Sequence, residues 1–369
     1  MFGPDHYVPI LRWKHAERFA LHHLQAEDRK RITPLIEVTP AVFRTRKTKQ
    51  RAAEWRNTTE VVYQESKKLL EACANFPFFL DLRYVDEQVP NGRGKHLLES
   101  FADLGRSYRL AIVPVTGPDR GKKYQASVRR MLEQDNRGLC LRLTPTNILV
   151  PNFATDIHEL LKELGTHQEF VHILIDYEAT TPSTLDVDEV LNAMPNLGAW
   201  RTLSIASGAF PPDLQGFALG NQRIPRLDWL SWKKAISESK CRGRKPSFSD
   251  YTIQYGLYKE PVEGSNPSVS VRYTLEDEWL IMRGEAVRGK ASAKRDEVRP
   301  GREQWHGHAQ LLCDSPDLFY GEGFSWGDAF IGERSRDRKN YGSPETWLRA
   351  GINHHMTVVT RQIANLGGL

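Results

Sequence analysis

Short, nearly unbroken apolar runs recur along the chain, each about the length of one β-strand. They are YVPILRW (7–13), ITPLIEV (32–38), FPFFLDLRY (76–84), LAIVPVTG (110–117), LCLRLTP (139–145), HILIDYE (172–178), RTLSIASGAF (201–210) and PSFSDYTIQYG (246–256). Such runs suit strands buried on both faces, as in parallel sheets. The intervening segments carry helical spacing. TEVVYQESKKLLEACANF (59–76) has Thr59 as its expected N-cap, and ATDIHELLKELG (154–165) has Gly165 as its expected stop. RLDWLSWKKAISES (226–239) is read as a helix. Eight strands that alternate with helices describe an α/β chain, a (β/α)8 TIM-type barrel. A doubly wound open sheet is the alternative. Neither G-x-G-x-x-G after the first strand nor G-x-x-x-x-G-K-[ST] anywhere supports a nucleotide-binding version of it.

After the eighth run the pattern changes. Residues 267–286 predict a β-hairpin turning at LEDE, then a basic stretch, then FYGEGFSWGDAFIGE (319–333) and a terminal helix from 345. The expected organisation is a barrel over 1–260, a hairpin and basic-loop insertion over 261–310, and a C-terminal helical extension over 311–369 that completes the barrel.

In a barrel, chemistry sits at the C-terminal strand ends. Those ends carry Arg12 and Lys14, Glu37, Asp81 and Arg83, Arg142, Asp176 and Glu178, Ser207, and Asp250 with Tyr251. The i, i+2 spacing of several pairs puts both members on one face. Isolated charges there would cost several kcal/mol, roughly, unless paired. The set is therefore either an internal salt-bridge network or a wet ligand pocket. Arg12, Arg83 and Arg142 suit carboxylate or phosphate recognition. Lys14 suits ion pairing, general-base work or a Schiff base. No glycine-rich phosphate cup follows the seventh strand, which argues against pyridoxal phosphate on Lys14. Glu37, Asp81, Asp176, Glu178 and Asp250 are the candidate catalytic acids, as proton-transfer groups or as oxygen ligands for a divalent metal such as Mg or Mn. The cofactor itself is unknown from sequence. With Arg12, Lys14, Arg83 and Arg142, Ser207 and Tyr251 complete the candidate ligand-binding set.

Composition narrows the class. The charge is +5, with 40% hydrophobic and 26% charged residues, an ordinary globular balance. Without a long apolar stretch no membrane partner is expected, and MFGPDHYVPILRWK does not read as a secretory signal. Four scattered cysteines suit a reducing cytoplasm. Basic segments at 44–51, 240–245 and 283–302 offer phosphate contacts, with Arg44, Arg46, Lys47, Lys49, Arg288 and Lys290 as candidate nucleic-acid-binding residues. Of the adjacent His354 and His355, one is expected buried and the other exposed. His306 and His308, spaced His-x-His, are a weak metal candidate. FSWGD is expected to form a tight turn in which Asp328 acts as a cap.

YVPILRWKHAE, ITPLIEV, FFLDLRY, IVPVTG, LIDYE, SGAFP, RLDWLSW and SDYTIQY, with FSWGD and INHH further on, together resemble the beta protein family of bacteriophages and bacteria. The resemblance spans nearly the whole chain in order. It implies a phage or mobile-element setting and a part in phage–host conflict, and implies little about mechanism. Two readings stay open: an enzyme acting on a phosphoester of a nucleotide or nucleic acid, and a non-catalytic module that binds nucleic acid or a protein partner.

Overall fold

The structure, a computed structural model, describes residues 2–45, 53–74, 76–86, 88–89, 94–179, 187–237, 244–260, 264–288 and 301–366. Arg46, Lys47, Lys49 and Lys290 lie outside the described residues.

All eight expected strands form, and they close a parallel barrel. Its strands are β1 (Tyr7–Arg12), β2 (Leu35–Glu37), β3 (Phe78–Asp81), β4 (Ile112–Thr116), β5 (Leu139–Leu143), β6 (Val171–Ala179), β7 (Thr202–Gly208) and, after an intervening β8 (Gly220–Pro225), β9 (Ser247–Asp250), which returns to β1. Alternation along each strand divides two cores. Val8, Ile10, Leu35, Phe79, Val113, Val115, Cys140, Leu174 and Ala206 fill the barrel interior. Tyr7, Leu11, Ile36, Leu80, Leu141, Ile173 and Ile205 face the surrounding helices. The runs look continuous in sequence because both faces are buried.

The outer layer holds α1 (His15–His22), α2 (Ala26–Arg29), α3 (Thr58–Cys73), α4 (Leu97–Ser107), α5 (Lys122–Asp135), α6 (Pro145–Ile148), α7 (Phe153–Leu164), α8 (Val187–Ala193) and α9 (Leu227–Ser237). Gly165 stops α7 at φ 69°, where glycine carries no Cβ penalty. The N-cap of α3 is Asn57, not Thr59. Its side chain accepts from the Glu60 amide at 3.1 Å, and Thr59 already lies inside the helix.

The C-terminal third adds α10 (Gln304–Cys313), α11 (Trp326–Arg336) and α12 (Pro344–Leu366). The hairpin forms as β10 (Ser268–Thr274) and β11 (Glu278–Ala286). It gains a third strand absent from the sequence reading, since β8 pairs antiparallel with β11. This sheet therefore joins residues on both sides of position 260. FSWGD opens α11 instead of making a tight turn; Ser325 caps it through the Asp328 amide. α12 packs on α1, α11, β10 and β1, in the place of a helix following the eighth barrel strand. Among the described residues, no helix is long and apolar enough to cross a membrane.

Candidate functional site

Register builds the barrel mouth. Arg12 lies beside Glu37, and Glu37 beside Asp81, so three consecutive strands end on charged, inward side chains at one level. Arg142 reaches into their centre from β5. Its Nη1 donates to Glu37 Oε1 and Asp81 Oδ2, both at 2.7 Å. Its Nε and Nη2 donate to Asp176 Oδ2 at 2.9 and 2.6 Å, and Nη2 also to the Tyr251 hydroxyl at 2.9 Å. All five N–H groups of the guanidinium have acceptors, a geometry that lysine could not supply.

An outer ring of arginines balances the acids. Arg120 donates to Asp81 Oδ1 at 2.9 Å, and Arg83 to Glu178 at 2.6 Å. Arg12 Nε stands 3.7 Å from Glu37 Oε2, and neither atom has a hydrogen-bond partner among the described residues. Burial works against ionisation of Asp81, yet Arg120, Arg142 and Arg83 hold its carboxyl below the usual range. Burial and the Asp176 charge push the Tyr251 phenol well above its ordinary value. Among the described residues, no three histidine, cysteine or acidic side chains gather to hold a metal ion. Arg142 fills the centre where the acids converge.

A loop covers this network. Arg12 Nη2 donates to the carbonyls of Tyr255 and Gly256 at 2.7 and 2.8 Å. Gly256 presses so close to β6 that a Cβ there would sit 2.5 Å from the Glu178 carbonyl oxygen. Glu178 and Thr252 have φ of 54° and 59°, strained values for residues with a Cβ, and both flank the mouth.

Asp250 and Ser207 do not join the mouth. They are register partners on β9 and β7, and both face the outer layer. Asp250 instead accepts from the Tyr7 hydroxyl at 2.5 Å and the Thr252 amide at 2.9 Å, and it meets His355 Nε2 at 2.8 Å. His354 meets Asp328 at 2.9 Å and the Thr274 carbonyl at 2.8 Å. Both histidines are fully buried, against the expectation of one exposed. Helix α12 is covered on two sides, so residues 100° apart are both enclosed. Asp328 does not cap α11; it receives His354, the Tyr273 hydroxyl and Ser325. His306 lies on α10 with Nδ1 at 2.9 Å from the Arg334 carbonyl.

A cleft opens beside the mouth. It holds about 780 Å³ and lies between the loop after β9 and the hairpin of β10 and β11. Arg12, Lys14, Lys259, Arg272 and Arg283 line it, with Asp213 and Glu285 the carboxylates on its wall. Arg272 donates to the Ile253 carbonyl and lies over the Phe210 ring, so it is held without a carboxylate partner. Lys14 lies over the Tyr258 ring at 5.5 Å, and burial pulls its pKa below the usual lysine value. Lys259, Arg272, Arg283, Arg120, Tyr258 and Gln254 were not singled out from sequence; Gln254, Tyr258 and Lys259 lie on the loop after β9, Arg120 on the loop after β4, and Arg272 and Arg283 on β10 and β11, segments that no local motif connects. Of the candidate nucleic-acid contacts that are described, Arg44 is half-buried, stacks on Trp55 and faces Glu260 at 3.5 Å. Arg288 donates to the carbonyls of Gly264 and Ser265, bracing the base of the hairpin.

Known proteins bear on this chain as follows. Protein beta of Enterobacteria phage P4 is 22% identical over 378 residues, covering 95% of this chain and 91% of that protein. Solved structures similar to this chain include a mutant tryptophan synthase alpha-subunit from Pyrococcus furiosus, 11% identical, with a TM-score of 0.37 over 69% of this chain and 90% of that one. A GH18 chitinase from Pseudoalteromonas aurantia is 10% identical, with a TM-score of 0.35 over 67% and 94%. The barrel itself rests on its own strand order. A family profile described as Beta protein matches residues 7–361, and the chain belongs to the Beta protein family.

Proposed function

We propose that this chain binds a phosphate-bearing ligand, a nucleotide or a segment of nucleic acid, in the cleft beside the barrel mouth. The observation that carries this reading is the cleft wall, where five cations face two carboxylates. Among the described residues, Lys14, Lys259, Arg272 and Arg283 have no carboxylate within 4.0 Å. A cleft of about 780 Å³ also falls within the usual size of ligand sites, about 300–1,000 Å³. An anion would supply the missing charge and accept from donors that are already positioned.

Binding is favoured over phosphoester hydrolysis. Glu37, Asp81 and Asp176 each turn one oxygen to Arg142 beneath the loop, and Asp250 is held by Tyr7 and His355. In this reading the mouth network is a structural plug that fixes Arg12 and the loop, and the cleft is the working surface. A phage or mobile-element setting, with a part in phage–host conflict, belongs to the proposal because of the similarity to a phage protein.

The test uses tryptophan fluorescence, since Trp305 and Trp347 line the cleft. Adenosine triphosphate and a short single-stranded oligonucleotide are titrated at low and high salt. Binding should weaken as salt rises, and Lys14→Ala should weaken it by about tenfold, the worth of one charge-assisted hydrogen bond. Equal affinity in wild type, Lys14→Ala and Lys259→Ala would remove the cleft from the account.

A further inference from the structure

The segments that follow four neighbouring strands carry cations and aromatic rings in contact. β1 pairs with both β9 and β2, and β2 with β3, so their C-terminal loops adjoin at the mouth. On the loop after β9, Lys259 lies over the Tyr255 ring at 5.2 Å, and both residues line the cleft. Tyr258, on the same loop, has Lys14 over its ring at 5.5 Å and meets the Tyr84 ring, beyond β3, at 4.9 Å. Glu260 pairs with Arg44, beyond β2, at 3.5 Å, and Arg44 lies over the Trp55 indole at 4.7 Å. Cations and rings therefore run from the cleft wall to Trp55.

Trp55 differs from the other tryptophans. It is 40% exposed, whereas they are buried or half-buried. Its backbone is braced, because it pairs antiparallel with Arg44. The Thr45 amide donates to the Glu54 carbonyl and the Arg56 amide to the Phe43 carbonyl, both at 2.8 Å. An exposed indole on a braced backbone, backed by a guanidinium, is a platform for a flat ring. Trp55 does not line the cleft, so a ligand confined there does not reach it.

We propose that the ligand is single-stranded nucleic acid, with its backbone in the cleft and a base stacked on Trp55. The proposal rests on the anion-binding reading of the cleft. Lys14, Lys259 and Arg272 face the phosphates, and the strand leaves the cleft over Tyr258 and Glu260 to reach the indole. Cations interleaved with aromatic rings suit a chain of phosphates that carries flat bases. The rings receive bases only from an unpaired strand, because a duplex keeps the base faces within its own stack. A lone nucleotide held in the cleft would leave Trp55 unused.

The full chain is titrated at low salt with fluorescein-labelled oligothymidylates of about four to sixteen nucleotides, the span of one single-strand site, and binding is read by anisotropy. Affinity should climb with length and level off once a strand spans both the cleft and Trp55. A duplex as long as the longest oligomer should bind more weakly. Trp55→Ala should remove the gain with length, about tenfold for one stacked base, and Trp55→Phe should restore most of it. Lys14→Ala should weaken oligomers of every length alike. If Trp55→Ala binds every oligomer as wild type does, the strand path fails and anion binding in the cleft stands. If it weakens short and long oligomers alike, Trp55 supports the fold and not a base, and the strand path fails again. A duplex bound as tightly as the single strand would also overturn the proposal. If Lys14→Ala leaves every oligomer unaffected, the cleft reading fails and the strand proposal with it.

Discussion

His355 on α12 and Asp250 at the end of β9 lie 2.8 Å apart, ring Nε2 to carboxylate, with both residues fully buried. Tyr7 and Thr252 also donate to Asp250, and the other ring nitrogen of His355 meets the Thr274 hydroxyl at 2.8 Å. A neutral ring with Nε2–H donating and Nδ1 accepting satisfies every partner. The pair fastens barrel wall, terminal helix and hairpin sheet at one point. His355→Ala should cost about 1–3 kcal/mol, because it leaves Asp250 Oδ2 buried without its donor. His355→Ala combined with Asp250→Ala should cost less than the sum of the single changes. Urea unfolding of the three variants checks both expectations.

Acid should loosen the fold before its carboxylates titrate. Burial pushes His172, inside the barrel floor, down to about 3 and His6 down to about 4, and it lowers His355 as well. The folded state keeps these rings neutral, whereas unfolded histidine takes a proton below about pH 6.5. Their contribution is complete above that pH and is lost progressively as pH falls towards the folded values. Thermal midpoints should decline from pH 6.5 to 4.5, and His172→Gln should flatten the decline. A flat wild-type profile over that window would contradict this.

Arg142→Met should be among the most damaging single changes in the chain. It leaves Glu37, Asp81 and Asp176 facing one another without their shared cation. The expected loss is about 3–5 kcal/mol, as for other broken buried pairs. Arg142→Lys should recover only part of it, since three donors cannot replace five. Thermal unfolding followed by circular dichroism measures both. Glu37→Gln should lower stability while changing phosphate affinity less than Lys14→Ala does.

The cap of α3 gives a smaller contrast. Asn57→Ala should cost about 1 kcal/mol, the usual worth of an N-cap side chain. Thr59→Ala should stay within about 0.5 kcal/mol, since Thr59 lies inside the helix away from the capping contact. Urea midpoints resolve the difference.

The barrel was legible because double burial leaves strands as apolar runs, and helical periodicity filled the gaps between them. β8 was not, because GNQRIP has no apolar run and only half-buries alternate residues, and its strand character comes from pairing with β11. At the mouth, the i, i+2 pattern placed Arg12, Glu37, Asp81, Arg142 and Asp176 together. Parity failed at Asp250: of two adjacent polar residues one faces inward, and sequence does not say that it is Tyr251. The doubly covered α12 hid the burial of both His354 and His355. The cleft was invisible for a plainer reason. Lys14, Lys259, Arg272 and Arg283 come from separate elements, and only the folded chain brings them to one wall.

The most direct test of the account is a crystal of the full chain soaked in tungstate, a heavy stand-in for phosphate, with the anion located by its anomalous signal. The account predicts a peak in the cleft among Lys14, Lys259 and Arg272, absent from Lys14→Ala crystals. A cleft empty at saturating tungstate, with anions only at Arg44 or Arg288, would contradict it.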